Sequence, residues 1–166
     1  MKTFEQFINE KYKPVQDETC GIEDNQVFRT GDIINYAEKN YDIKDVKVSD
    51  IIKFSSLSKD NIDDMYLVSV HAGGGIDDLI KKYGKKSTVK DLTKEEKDRV
   101  IDLEIKKCMK TSLNYPVIVV TDKNGKYKGL MDGNHRLVKA DKLGKDTIKA
   151  YVLPYDELVK NLENIK

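Results

Sequence analysis

Leu130-Met131-Asp132-Gly133-Asn134-His135-Arg136-Leu137 changes character in its middle. Up to Met131 it continues a strand pattern; from His135 onward it has the spacing of a helix. Upstream, Tyr115-Pro116-Val117-Ile118-Val119-Val120-Thr121 is a β-branched run that reads as a buried strand. Asp122-Lys123-Asn124-Gly125-Lys126 supplies a hairpin turn, with Asn124 and Gly125 expected to adopt positive φ. Residues 127–131 are the return strand. Asp132-Gly133-Asn134 breaks that strand and opens a helix over about 135–143, stopped by Gly144. Residues 147–153 form a further strand. The expected unit is strand, hairpin, strand, glycine turn, helix, strand.

Chemistry is expected where strand meets helix. A glycine lets the backbone pass close to a ligand. The first turn of a helix offers N–H groups and the positive end of a dipole, so it attracts anions. His135 and Arg136 fall on that turn, and a guanidinium matches the geometry of a phosphate. Gly133, Asn134, His135 and Arg136 therefore read as a phosphate loop. The plainer reading is a surface helix capped by Asp132 or Asn134, with Arg136 solvated.

The run Pro116-Val117-Ile118-Val119, Gly125, Asp132-Gly133-Asn134-His135-Arg136-Leu137, Ala140, Leu143-Gly144, Ile148 and Tyr151-Val152 resembles the ParB/sulfiredoxin superfamily. That family carries a Gly-x-His-Arg or Gly-x-Arg-Arg phosphate motif between a hairpin and a helix. The resemblance covers residues 115–154, about a quarter of the chain. It implies an α+β fold with a mixed sheet and flanking helices. Sulfiredoxin's catalytic cysteine aligns with Asn134, so that activity is not expected. Asp-Gly-x-His-Arg is closer to the free-serine-kinase and ParB-like nuclease branches. In the kinase branch this loop binds nucleotide phosphates while an acidic residue activates a hydroxyl. Asp132 is the nearest such residue, with His135 beside it as a second catalytic candidate; Asp50 is a more distant one. The resemblance implies a nucleotide, ATP, ADP or CTP, with Mg²⁺ as the cofactor set.

The chain has 166 residues, with 30 basic and 29 acidic side chains for a net charge of +1. That balance argues against simple nucleic-acid binding, which needs a basic excess at least locally. No apolar run approaches the ~20 residues of a membrane span, and no secretory h-region is visible. Its two cysteines, Cys20 and Cys108, stand far apart, as in a reduced, intracellular protein. With His71 and His135 as the only histidines, a structural zinc site is not expected.

Residues 1–12 place Phe4, Phe7 and Ile8 on one helical face after Thr3. Their opening also resembles the capsid-targeting peptides of T-even-type phages. Those begin Met-Lys-Thr-aromatic and end near Ile-x-Glu, here Ile8-Asn9-Glu10, where a prohead protease cuts. Residues 1–10 would then address the protein to a phage capsid, and its location would be the infected host's cytoplasm or the virion. Residues 15–25 read as a polar linker. A short helix is expected over 31–39, capped by Asp32, and residues 46–52 alternate as a strand does before a turn or helical turn.

Residues 65–71, Met-Tyr-Leu-Val-Ser-Val-His, read as a second strand. They lead into Gly73-Gly74-Gly75 and a short helix ending at Gly84. The glycines with His71 form a secondary anion-site candidate, set against a flexible connector. No Gly-Lys-Ser/Thr follows, so this is not a Walker loop. The lysines of residues 81–90 are either a polyphosphate contact or a solvated face. Thr93 and Glu96 make a capping box for a helix to about residue 110, with Val100, Ile101, Leu103, Ile105, Cys108 and Met109 as its apolar side. An amphipathic helix closes the chain over 155–165.

The expected organisation is an N-terminal helix and linker over 1–26 and an α+β domain over 27–166. Three functions compete. One is phosphotransfer or hydrolysis on a nucleotide; another is a ParB-like nuclease or DNA-binding accessory protein; the third is a non-catalytic protein inside a phage virion.

Overall fold

A computed structural model describes residues 19–23, 25–71 and 74–166, with the backbone alone for Glu23 and His71. The expected peptide of residues 1–10 and Gly73 lie outside them. The architecture is mixed α+β. Strands β3 (Lys44–Lys47), β6 (Thr147–Pro154), β4 (Val117–Thr121) and β5 (Tyr127–Asp132) form a four-stranded mixed sheet in that order. Strands β1 (Thr19–Glu23) and β2 (Gln26–Arg29) form a separate antiparallel pair. Seven α-helices are described: α1 (Thr30–Asn40), α2 (Val48–Ile51), α3 (Leu67–His71), α4 (Asp77–Tyr83), α5 (Lys94–Met109), α6 (Asn134–Lys142) and α7 (Tyr155–Asn161).

The chain divides into two compact units, each built from separated segments. The first comprises residues up to Lys44 with Ile118–Asp132 and Ala150–Lys166. Its core gathers Phe28, Ile33, Ile34 and Ala37 with Ile118, Val120, Met131, Leu153, Tyr155 and Leu158. Residues Ile33, Ile34 and Ala37 share a face of α1 as their spacing requires, although Arg29, not Asp32, holds the cap position. Here β1 replaces the expected linker over 19–23. Cys20 and Ile22 pack on this core, and Ile22 meets Gly129, where an added Cβ would lie 2.4 Å from the Ile22 Cδ1. The β4–β5 hairpin pairs antiparallel. Its turn uses positive φ at Gly125 alone, not at Asn124. Asp122 Oδ1 instead accepts from the N–H groups of Asn124 and Lys126, an Asx turn that closes a longer loop.

The second unit comprises Asp45–Val117 and Gly133–Lys149. One of its cores contains Leu67, Val70, Ile76, Leu79, Val89 and Val100. Residues Leu67 and Val70 are the reason that 67–71 is a helix and not the expected strand. Burial three residues apart is met by a helical turn, whereas strand alternation would have buried the exposed Val68 on the face of Tyr66 and Val70. The stretch over 46–52 does pass from strand into a helical turn, with β3 ending at Lys47 and α2 beginning at Val48. Helix α5 begins at the expected capping box: Thr93 Oγ1 accepts from the Glu96 N–H, and Glu96 Oε2 accepts from the Thr93 N–H. Helix α6 packs against α5 and buries Leu137, Val138 and Ala140. It ends through the Gly144 N–H on the Asp141 carbonyl and the Lys145 N–H on the Ala140 carbonyl, with Gly144 at φ +63°.

Candidate functional site

The joint before α6 is built around Gly133, which has φ +102°. A Cβ here would lie 2.5 Å from Val117 Cγ1 and 2.8 Å from Val117 Cβ, so both conformation and packing require glycine. The same imagined Cβ would stand 3.1 Å from Arg136 Nη2. The guanidinium therefore folds back over the glycine turn instead of extending from the helix. Helix geometry leaves the N–H groups of the first turn without partners inside the helix, and no acidic side chain lies in that turn. Arg136 and this N-terminus thus lie side by side, and a helix N-terminus carries the positive end of the helix dipole.

Neither expected capping residue is the cap, which is Gly133. Asn134 is occupied elsewhere. Its Oδ1 accepts from the Ser56 N–H at 2.8 Å, and its Nδ2 donates to Ser56 Oγ at 2.8 Å. This pair ties the loop after the 3-10 turn Ile52–Phe54 to α6, so the Asn134 side chain acts as a tether between the two. Asp132 is the last residue of β5 and is half-buried. Asp50 is exposed on α2, accepting a weak 3.4 Å hydrogen bond from Ser49.

His135 is set by α5. Its Nε2 lies 3.0 Å from Glu104 Oε1. A carboxylate only accepts, so Nε2–H is the donor of this hydrogen bond. The His135 ring, expected at a phosphate, is engaged with Glu104 instead of projecting from the helix turn. Glu104 is 4% exposed, in the middle of a buried stripe that repeats every four residues, Val100, Glu104 and Cys108. Burial works to raise the Glu104 carboxyl. The His135 hydrogen bond and the Lys107 and His135 charges outweigh it, and the net displacement is downward from the usual carboxylate value. Burial and the Glu104 charge push the Cys108 thiol up to about 11. A thiol held protonated in this way is a poor nucleophile. The ligand atoms of Glu104, Cys108 and His135 all lie within 4.8 Å of one another.

The sequence reading missed Glu104 and took Cys108 for part of an apolar side. The available signal was the glutamate interrupting a four-residue apolar spacing. Of the secondary candidates, Gly74 and Gly75 have positive φ, and the Gly75 carbonyl accepts from Arg99, which also pairs with Asp78. Those contacts make the Gly75 turn part of the α4–α5 packing, and α4 has only seven residues. The lysine run is partly neutralised by Lys82–Glu96 and Lys90–Asp64 pairs. A cavity of about 430 Å³ lies beside α6, lined by residues that include Ser55, Ser58, Lys59, Val138 and Lys142. Its lining does not include Gly133, His135 or Arg136. None of the described helices is long and apolar enough to cross a membrane.

Comparison of the chain with protein-family models, with curated proteins and with solved structures finds no match.

Proposed function

We propose that this chain recognises a phosphate group at the first turn of α6, as a divergent ParB/sulfiredoxin-like protein acting on a nucleotide by phosphotransfer or hydrolysis. The observation that carries the reading is Arg136 folded over the Gly133 turn, with Nη2 3.1 Å from the space a side chain would fill. A guanidinium next to the helix N–H groups offers a phosphate two kinds of donor at once, without desolvating a distant charge. The tether from Asn134 to Ser56 holds that turn in place before any ligand arrives. Asp132, one residue before the glycine, is the group assigned to activate a hydroxyl.

Calorimetric titration with ATP, ADP, CTP and pyrophosphate, each with and without Mg²⁺, tests the reading. Arg136→Ala should weaken the best ligand by about 1.5–3 kcal/mol, roughly ten- to a hundredfold, with unchanged circular dichroism. Equal affinity in the two proteins would remove the turn from phosphate recognition. Asp132→Asn should abolish turnover of a bound nucleotide while leaving its affinity within a few fold.

A further inference from the structure

Three side chains of different chemistry converge between α5 and α6. Glu104 and Cys108 stand four residues apart, on one face of α5, and His135 reaches them from the first turn of α6. Two of the three are buried, and their ligand atoms lie within 4.8 Å of one another. A second observation is a buried carboxylate oxygen that lacks a hydrogen bond. Glu104 Oε2 is enclosed and has no hydrogen bond, while its sister oxygen serves His135. The nearest cation, Lys107 Nζ, is 3.8 Å from Oε2, beyond hydrogen-bond distance.

We propose that Glu104, Cys108 and His135 form a site for a zinc-class divalent cation. The proposal is independent of the phosphate reading, because it uses neither Arg136 nor the N–H groups of α6. Zinc accepts carboxylate, thiolate and imidazole together at about 2.0–2.3 Å, which sets neighbouring ligand atoms roughly 3.3–3.6 Å apart in a tetrahedron. The i, i+4 pair on α5 has the spacing that presents two ligands from one helix face. Charge also balances: a carboxylate, a thiolate and a neutral imidazole cancel a divalent ion in a buried place. Three protein ligands leave a fourth position for water or a substrate oxygen.

Binding follows a definite proton inventory. The S–H bond of Cys108 breaks as the metal–sulfur bond forms, and that proton leaves to the buffer. The imidazole proton on Nε2 moves to Nδ1, which frees the Nε2 lone pair for the metal and keeps the ring neutral. Binding thus releases one proton per metal from the thiol.

The test uses the full chain, stripped with chelator under a non-thiol reductant and titrated with Co²⁺ and then Zn²⁺. The expected result is a single metal per chain, a thiolate-to-cobalt charge-transfer band that Zn²⁺ displaces, and proton release seen in buffers of different ionisation enthalpy. The chain has two cysteines. Cys20→Ser, far from the site in sequence, should therefore keep the band. Cys108→Ser should lose it, and Glu104→Gln should weaken binding at least ~10-fold. Wild type and Cys20→Ser decide the matter even if a core variant fails to fold. No band in wild type, or a band lost in Cys20→Ser, would overturn the proposal and leave Glu104–His135 as an ion pair between helices. Phosphate affinity measured on the stripped protein reports separately on Arg136.

Discussion

Gly133 meets two requirements that act on different physics. Its φ of +102° excludes side chains through backbone sterics, and its approach to Val117 excludes them through packing. Gly125 has only the first requirement, with φ +79° and nothing within 4 Å of an added Cβ. The two substitutions to alanine should therefore separate. Gly125→Ala should cost about 1–2 kcal/mol, the penalty of a left-handed alanine. Gly133→Ala should cost about 2–5 kcal/mol, because overpacking against Val117 adds about 1–3 kcal/mol. Urea unfolding of both variants measures the difference, and equal losses would show that Val117 yields freely. The glycine turn was legible in the sequence because Asp-Gly-Asn between a strand and a helical pattern is strong punctuation. The roles of its neighbours were not. Asn134 and His135 look alike as first-turn polar residues, yet Ser56 and Glu104, distant in sequence, decide that one is a tether and the other a partner of α5.

At the scale of the element, α5 shows what local patterning can and cannot carry. Its capping box is wholly local and forms as expected, so Thr93→Ala should lower stability by about 1 kcal/mol in a thermal or urea melt. Glu96 does more than cap. It also accepts from Lys82 at 2.8 Å and from Tyr83 at 2.6 Å. The Lys82 and Tyr83 hydrogen bonds, then the Thr93 N–H, hold its carboxyl at about 2 against an ordinary 4.5. A carboxyl depressed in the folded state contributes stability that is fully present above 4.5 and lost as pH falls through about 2. The stability gap between wild type and Glu96→Gln should thus be flat above pH 4.5 and close progressively down to about pH 2. A gap independent of pH across that range would mean that Glu96 acts by shape alone. Tertiary context overrode local pattern elsewhere. Residues 67–71 have strand-like composition but are helical, since Leu67 and Val70 must both reach one core. Residues 19–23 look like a linker because only Cys20 and Ile22 carry their packing on the core.

For the molecule as a whole, the sequence gives little sign that the chain passes between its two units at residues 44/45, 117/118, 132/133 and 149/150. Strand and helix patterns report which face of an element is apolar, and remain silent on which distant segment covers it. The consequence for the second unit can be tested. Residues 45–117 hold α5 with Glu104 and Cys108, but α6 arrives only with residues 133–149. In that unit Leu137 and Val138 are 0% and 2% exposed, and each contributes roughly 1.5–3 kcal/mol by burial. Their combined ~3–6 kcal/mol is comparable to the whole stability of an ordinary small domain. A fragment of residues 45–117 should accordingly fail to adopt a unique fold, with collapsed amide dispersion in a proton–nitrogen correlation spectrum and strong binding of a hydrophobic dye. Joining residues 133–149 to residue 117 through a flexible linker should restore dispersion. It should also restore the Glu104–His135 contact, seen as a slowed exchange of the imidazole N–H. A well-dispersed spectrum from 45–117 alone would show that α6 is not needed to complete this unit.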